Sequence, residues 1–204
     1  MKRCVIAGAS PEVFWDSRWV PDMVICADGG YSHAVRLGLK PDLIIGDNDS
    51  SGEKPPLSIV HRSLPVEKDI TDMEACIDYA LQAGAGEIAL LGASGGRLDH
   101  FLGNIGLLER ADGKAFMLDS SHEIHLLPSP VTVEPPHKHR YFSVVPLDET
   151  ASGVTITGAK YPLDNATLRR AATVGISNEP LDGVSFTVSV KNGKALLVLS
   201  EKLI

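Results

Sequence analysis

The sequence is short of positive charge. Its 204 residues include 19 lysines and arginines against 26 aspartates and glutamates, so the formal net charge is −7 with histidine neutral. A surface that binds nucleic acid or an anionic membrane is rich in lysine and arginine. We therefore exclude nucleic acid as a partner. Any phosphate on a ligand must be neutralised by something other than the overall charge of the chain.

Long apolar runs and paired cysteines are also missing. No segment approaches the roughly 20 apolar residues of a membrane span, and the run from Cys4 to Ala9 is too short for the core of a signal peptide. The cysteines, Cys4, Cys26 and Cys76, are odd in number and widely spaced. We therefore expect no membrane partner, buried free thiols and a cytoplasmic location.

Several common catalytic motifs are absent as well. The stretch 92–97 is rich in glycine but lacks the Gly-Lys-Ser/Thr ending of a P-loop, and Gly8-Ala9-Ser10 does not complete a dinucleotide-binding fingerprint. We find no convincing constellation of residues around a nucleophile. The spacings His122-x-x-His125 and His137-x-His139 fall at a predicted domain junction and in a predicted loop, so we do not interpret them as a zinc site.

The first part of the chain repeats a pattern of a short apolar run, a polar or glycine residue, and a stretch with helical signals. Apolar runs without polar alternation are typical of parallel strands that are covered on both faces. We predict an α/β domain over residues 1–119, with a Rossmann-like, mostly parallel sheet and flanking helices. Its strand runs are Arg3–Ala7, Met23–Ala27, Asp42–Ile45, a weaker Leu57–Val60, Glu87–Leu91 and Lys114–Leu118.

After Asp119 short apolar runs are separated by proline, glycine and asparagine, without helical periods. This texture predicts an all-β sandwich domain over residues 120–204. Alternating strands flank Asn192-Gly193 between Phe186 and Ser200, and this pair suits the turn of a tight β-hairpin.

Aspartates follow several of the predicted parallel strands. Ligands bind outside the carboxyl ends of such strands, so these carboxylates are expected to converge on one edge of the sheet. Clustered carboxylates repel one another unless a cation lies among them, and oxygen ligands beside a phosphate favour Mg²⁺. The segments concerned are Asp28-Gly29-Gly30, Asp47-Asn48-Asp49-Ser50, Lys68 to Asp72, and Arg97-Leu98-Asp99.

Two of these segments also carry helix or turn signals. Thr71-x-x-Glu74 is a capping box, which predicts that Thr71 caps a helix and that Asp72 is its first residue. Asp72 then either contacts a ligand or only complements the helix dipole. The turn Gly92 to Arg97 is either a site for an anion, with backbone N–H groups and Arg97 as donors, or a tight connector.

The ordered set of these motifs closely resembles the thiamine pyrophosphokinase family. It comprises Ala27-Asp28-Gly29-Gly30, Pro41 to Ser50, Lys68-Asp69-Ile70-Thr71-Asp72-x-Glu74 and Gly92-Ala93-x-Gly95-Gly96-Arg97-Leu98-Asp99-His100. The resemblance continues through Gly158 to Leu163, Gly175 to Glu179 and Val184-Ser185, so it covers nearly the whole chain.

The resemblance implies transfer of the diphosphate of ATP to the hydroxyl of thiamine, giving thiamine diphosphate and AMP with Mg²⁺. It also implies a homodimer, with the active site between the nucleotide domain of one subunit and the sandwich of the other. The implied metal ligands are Asp47, Asp49 and Asp72, and the implied catalytic residues are Asp69, Asp72 and Asp99. ATP would contact Asp28, Gly29, Gly30, Ser50, Lys68 and Arg97, and thiamine would contact Tyr161, Ser177, Asn178 and Ser185.

The chain departs from the family at two positions. Asn48 stands where the family usually has an aromatic residue, and Tyr161 stands where it often has tryptophan. Two alternatives therefore remain at this stage. One is a diphosphokinase acting on a related alcohol such as hydroxymethylpterin, and the other is a non-catalytic module that binds thiamine or a nucleotide.

Overall fold

The structure is a computed structural model that describes residues 1–46, 55–64, 69–127, 130–135 and 138–201. The chain divides into two compact units, Met1–Ser120 and Ser121–Ile204. Each unit has its own hydrophobic core. No helix in these ranges is long and apolar enough to cross a membrane.

The N-terminal unit contains a parallel sheet flanked by helices, as predicted. Its strands lie in the order β4-β3-β2-β1-β5-β6, and every neighbouring pair is parallel. The strands are Lys2–Ala7 (β1), Met23–Ala27 (β2), Leu43–Gly46 (β3), Val60–Ser63 (β4), Ala85–Leu91 (β5) and Ala115–Leu118 (β6). The helices are Gly30–Arg36 (α1), Asp72–Gln82 (α2) and Leu98–Arg110 (α3).

Both faces of this sheet are buried. One core includes Val5, Ala7, Val24 and Cys26 together with Tyr31 and Ala34 of α1. The intervening residues of the strands, such as Ile6 and Ile25, are equally buried and point to the opposite face. All three cysteines are free and buried, which confirms that prediction.

The position predicted for the fourth strand is wrong. Leu57 and Ser58 form a turn, and β4 begins only at Val60 and continues through polar residues. This strand pairs with β3 on one side and is largely exposed, so it needs no apolar run.

The C-terminal unit is a sandwich of antiparallel sheets, which confirms the predicted class. One sheet has the order β7-β13-β9 within this unit, and the other has the order β11-β10-β12-β8. The core lies between them, where the rings of Phe142 and Phe186 stack with centroids 4.1 Å apart. The strands are His122–Leu126 (β7), Val131–Val133 (β8), Tyr141–Pro146 (β9), Thr150–Thr157 (β10), Leu163–Arg169 (β11), Phe186–Ser189 (β12) and Ala195–Ser200 (β13).

The predicted hairpin around Asn192-Gly193 is also wrong. Strand β12 pairs with β10 and β8, whereas β13 pairs with β7 and β9, so the two strands belong to different sheets. Phe186 and Leu197 both point into the core, from opposite sides of the sandwich. Gly193 does adopt a positive φ of 85°, but the turn connects two sheets.

Candidate active site

The strand order of the N-terminal unit marks the point where a ligand is expected. Strands β2, β3 and β4 lie on one side of β1, and β5 and β6 lie on the other, so the progression along the sheet reverses between β1 and β5. Ligands of open α/β sheets bind outside the carboxyl ends of the strands at such a point. A cavity of about 600 Å³ opens here, bordered by the loops after β1, β2 and β5 and by the starts of α2 and α3.

Two strand-end loops cross beside this cleft with no room for a side chain between them. The Gly8 N–H donates to the Leu91 carbonyl (2.7 Å), and the Ser10 N–H donates to the Gly92 carbonyl (3.2 Å). A Cβ on Gly8 would lie 2.7 Å from the Gly92 oxygen, and Gly92 itself has a φ of +59°. The Nδ1 of His33 lies 3.2 Å from the Gly8 carbonyl oxygen. The glycines thus keep both loops in contact.

Asp28 enters the cleft from an unusual backbone position. Its φ is 44°, a region that few residues other than glycine adopt and that aspartate tolerates better than most. Its N–H donates to the Ile45 carbonyl (2.9 Å). Gly29 caps α1, and Gly30 is its first residue, where a Cβ would overlap the Ala7 carbonyl oxygen. Asp28 therefore lines the cleft, and the glycines let α1 begin directly against β1.

Helix α2 begins at the cleft with the predicted cap. Thr71 Oγ1 accepts a hydrogen bond from the Glu74 N–H (3.2 Å), and Asp72 is the first helical residue. Both Thr71 and Asp72 line the cleft, and the N-terminal end of a helix favours an anion. Asp69 is exposed just before the helix and is not among the lining residues.

Arg97 and Asp99 form a forked ion pair at the start of α3. The guanidinium Nη2 lies 2.5 Å from Asp99 Oδ2, and Nε lies 3.1 Å from Oδ1. Hydrogen bonding to Arg97 lowers the pKa of Asp99 to about 2, so this carboxylate is ionised at neutral pH. Asp99 lines the cleft, and Arg97 lies beside it.

Part of the predicted metal and nucleotide set lies outside the described residues, namely Asp47, Asp49, Ser50 and Lys68. Within the ranges that the structure does describe, no three His, Cys, Asp or Glu side chains are grouped so as to hold a metal ion. The carboxylates that line the cleft there are Asp28, Asp72, Glu74 and Asp99. Carboxylate oxygens are the donors that Mg²⁺ prefers, so the chemistry of this lining fits that ion.

In the C-terminal unit, Asn178 joins two of the predicted thiamine-side segments. Its Oδ1 accepts from the Tyr161 N–H (3.0 Å) and the Glu179 N–H (2.9 Å), and its Nδ2 donates to the Tyr161 carbonyl (2.7 Å). Asn178 is buried, whereas Tyr161 is 56% exposed. Asn178 therefore positions the backbone of Tyr161, whose side chain reaches the surface.

The two predicted serines flank the same segment, residues 158–161. Ser177 precedes Asn178 with a φ of 56°, and its N–H donates to Ser143 Oγ (3.0 Å). Ser185 Oγ donates to Glu134 Oε2 (2.5 Å). Gly158, with a φ of +71°, packs so closely on Ser185 that a Cβ would overlap the Ser185 carbonyl oxygen. The structure thus groups the four predicted thiamine-side residues around this segment.

Comparison with known proteins identifies the family. The model of the thiamin pyrophosphokinase catalytic domain matches residues 15–118, and the model of the thiamin pyrophosphokinase vitamin B1 binding domain matches residues 121–195. The chain belongs to the thiamine pyrophosphokinase family. Thiamine pyrophosphokinase of Bacillus subtilis is 32% identical over 188 residues, covering 86% of this chain and 87% of the relative. This confirms the resemblance drawn from the motifs.

Solved structures of the thiamine pyrophosphokinase family agree with this assignment. The B. subtilis crystal structure superposes with a TM-score of 0.88 at 29% identity, covering 100% of both chains. The Geobacillus thermodenitrificans structure gives 0.84 at 32% identity, covering 99% of this chain and 98% of the other. The Candida albicans enzyme, 17% identical, shares the fold with a TM-score of 0.77, covering 98% and 89%.

Part of the cleft is lined by residues that the sequence motifs do not predict. Gly8 to Ser10 line it, although they complete no known fingerprint; their place directly after β1 is the usable signal. His100, Asn104 and Leu107 line it from α3. Their spacing of three to four residues puts them on one face of a helix that starts at Leu98, a pattern that the sequence does contain.

Proposed function

We propose that the cleft at the ends of β1, β2 and β5 is where this enzyme binds ATP. Family membership gives the reaction, the formation of thiamine diphosphate from thiamine with ATP as the donor. The residues that line the cleft support this position for the ATP site. Close-packed glycine loops, the start of α2 and three aspartates meet at the point where the strand order reverses.

The reaction requires the thiamine hydroxyl to attack the β-phosphorus of ATP. A bond forms between this oxygen and phosphorus, the bond from the β-phosphorus to the α-phosphate oxygen breaks, AMP leaves, and the hydroxyl proton goes to a base. Asp72 is a ligand-facing carboxylate suited to accept that proton, and Asp99, which Arg97 keeps ionised, is suited to orient the hydroxyl. Bound Mg²⁺ would neutralise charge on the diphosphate, with Asp47, Asp49 and Asp72 as its ligands.

The remaining groups position the polyphosphate. Backbone N–H groups of the turn 92–97 and the first turn of α2 are suited to hold phosphate oxygens. Arg97 adds positive charge and the guanidinium N–H groups that its fork onto Asp99 does not use. Little else is required, because phosphoryl transfer depends mainly on alignment and charge stabilisation. Asp28 and its glycines would border the nucleotide, and Asp69, Ser50 and Lys68 complete the proposed set.

We propose that the segment around Tyr161 binds thiamine. The exposed ring offers a π-face to a cationic, aromatic acceptor. Asn178 borders the same segment through its hydrogen bonds with the Tyr161 backbone, and Ser185 borders it through its close packing on Gly158. Ser177 directly precedes Asn178.

We also propose a homodimer, with the nucleotide unit of one subunit facing the sandwich of its partner. Exposed apolar side chains support this arrangement on both units. Leu98 and Leu102 lie on α3, and Ile176, Leu181 and Val184 follow or precede the predicted thiamine-side residues. Free thiols in every cysteine position agree with a cytoplasmic location.

One assay tests the proposed activity and its alternatives. The purified chain is incubated with ATP, Mg²⁺ and either thiamine or hydroxymethylpterin, and the nucleotide product is identified. We expect AMP with thiamine only, and none after chelation of Mg²⁺. ADP as the product would contradict diphosphoryl transfer, AMP with the pterin alone would reassign the acceptor, and no turnover would favour a binding module.

A further inference from the structure

The glycine-rich turn 92–97 is held from behind by two buried polar contacts. Ser94 Oγ donates to Asp119 Oδ2 at 2.5 Å, and the Asn104 Nδ2 donates to the Ala93 carbonyl at 2.9 Å. Ser94, Asp119 and Asn104 are all buried. The first contact joins the turn to the residue after β6, and the second joins it to α3.

A turn of this composition depends on such contacts. Gly92, Gly95 and Gly96 have φ values of +59°, +74° and +64°. Glycine reaches this region easily but also many others, so these residues do not by themselves select one conformation. Contacts from outside the turn must do so. The Ser94–Asp119 separation is typical of a hydroxyl bonded to a carboxylate, which is among the stronger hydrogen bonds.

Ser94 and Asp119 are separate from the residues that face the ligand. The cleft is bordered by Gly92, Asp99 and Asn104, whereas Ser94 and Asp119 lie behind this border. A carboxylate placed behind the turn, with its oxygen bonded to Ser94, does not touch a bound phosphate. We therefore expect Asp119 to affect ATP binding through the conformation of the turn rather than by direct contact.

We propose that Asp119 is a positioning residue, which acts through Ser94 to hold the turn 92–97 in the conformation that binds the polyphosphate of ATP. The inference rests on the proposed function of the cleft. Asn104 supports the same turn from α3 through the Ala93 carbonyl.

The test compares Ser94→Ala with Ser94→Thr. Removing the hydroxyl should raise the KM for ATP about tenfold, the size of effect that one hydrogen bond produces. The KM for thiamine should change by less than about twofold. Threonine retains a hydroxyl and should restore the KM for ATP. Asp119→Ala should raise the KM for ATP as much as Ser94→Ala does. The double variant should raise it little further, because both changes remove the same contact.

A control variant separates positioning from stability. The Asp42 carboxylate accepts the Val24 N–H (2.8 Å) near the start of β2, at the opposite edge of the sheet from the cleft. Asp42→Ala should therefore lower the thermal midpoint and leave the KM for ATP unchanged. The fluorescence of Trp15 and Trp19, the two tryptophans of the chain, shows whether each variant is folded at the assay temperature.

An unchanged KM for ATP in Ser94→Ala would overturn the proposal, and so would a Ser94→Thr variant whose KM for ATP is no lower than that of Ser94→Ala. Calorimetric titration of the same variants with Mg²⁺–ATP gives a dissociation constant that does not depend on turnover. If the wild-type chain binds ATP but forms no AMP, the proposed reaction fails while the positioning role can still be measured. If wild-type and variant bind ATP equally, the positioning role fails.

Discussion

Lys160 lies between the carboxylate of Glu179 and the ring of Tyr161. Its ammonium nitrogen is 2.8 Å from Glu179 Oε1 and 5.5 Å from the ring centroid. The hydrogen bond from Lys160 lowers the pKa of Glu179, so this carboxylate is ionised at neutral pH. The ring proposed to meet cationic thiamine is thus next to a lysine whose charge is balanced.

We expect Glu179→Gln to raise the KM for thiamine about fivefold at low ionic strength, because the unbalanced Lys160 ammonium would repel the acceptor. Added salt should shrink the effect, and Lys160→Met in the same chain should reverse it. The KM for ATP serves as the control. A thiamine KM that is insensitive to both changes would place the acceptor away from Tyr161.

Substitution of Asp72 tests whether this carboxylate acts on the ligand or only stabilises the first turn of α2. Loss of a first-turn acid removes about 0.3–1 kcal/mol of helix stability, whereas loss of a base or metal ligand lowers kcat by about 100-fold or more. We expect Asp72→Asn to show the large loss of kcat with a shift of a few degrees in thermal midpoint.

The matched control for Asp72 lies on the same helix. The Asp78 carboxylate receives two hydrogen bonds from Arg110, at 2.7 and 2.8 Å, and does not line the cleft. Asp78→Asn should lower stability and keep kcat. If the two variants lose activity and stability in the same proportion, Asp72 serves only the helix.

Removal of Arg97 should change the titration of Asp99. In the wild type the hydrogen bond from Arg97 holds the Asp99 pKa at about 2, so this carboxylate stays ionised until the pH falls to that value. In Arg97→Gln we expect the pKa to rise toward the ordinary value of about 3.9, as measured by NMR of the carboxyl carbon. Arg18→Gln is the control: it breaks the exposed ion pair with Asp16 and should leave the pKa of Asp99 unchanged.

His33 predicts a pH dependence of the N-terminal unit. Burial and the charge of Arg36 lower the pKa of His33 in the folded chain, so the unfolded chain binds the proton more tightly. Stability from neutral His33 is therefore present above pH about 6.5 and is lost as the pH falls below it.

Thermal unfolding followed by tryptophan fluorescence checks this, since both tryptophans lie in that unit. The midpoint should fall between about pH 7.5 and 5.5. His33→Gln, which has no titrating ring and keeps a donor for the Gly8 carbonyl, should show a smaller fall. Equal falls in both chains would show that other groups cause the dependence.

The sequence predicts the parallel half of the fold because its strands are buried on both faces. The runs around Val5, Ile25, Ile45 and Leu90 are continuous and apolar, and each is a strand. The polar edge strand β4 has no such run and is misplaced. Strand β11 alternates weakly and is largely exposed, so its sequence gives no strand signal.

The candidate site also contains features that the sequence predicts and features that it does not. Thr71 and Asp72 are predictable because helix capping is a local property, and the structure confirms the cap. The buried contact between Ser94 and Asp119 joins residues 25 positions apart, and no local pattern predicts it. The partner strands of β12 and of β13 are mispredicted for the same reason. Asn192-Gly193 specifies a turn, but it does not specify the sheet that each flanking strand joins.

The buried cysteines have a practical consequence. Burial raises the pKa values of Cys4 and Cys26 to about 12, and alkylating reagents attack the thiolate. These thiols can therefore react only when their strands leave the sheet. The alkylation rate thus measures how often the nucleotide unit opens transiently. A nucleotide that binds only the closed unit would lower the alkylation rate, which would report occupancy of the cleft without any turnover.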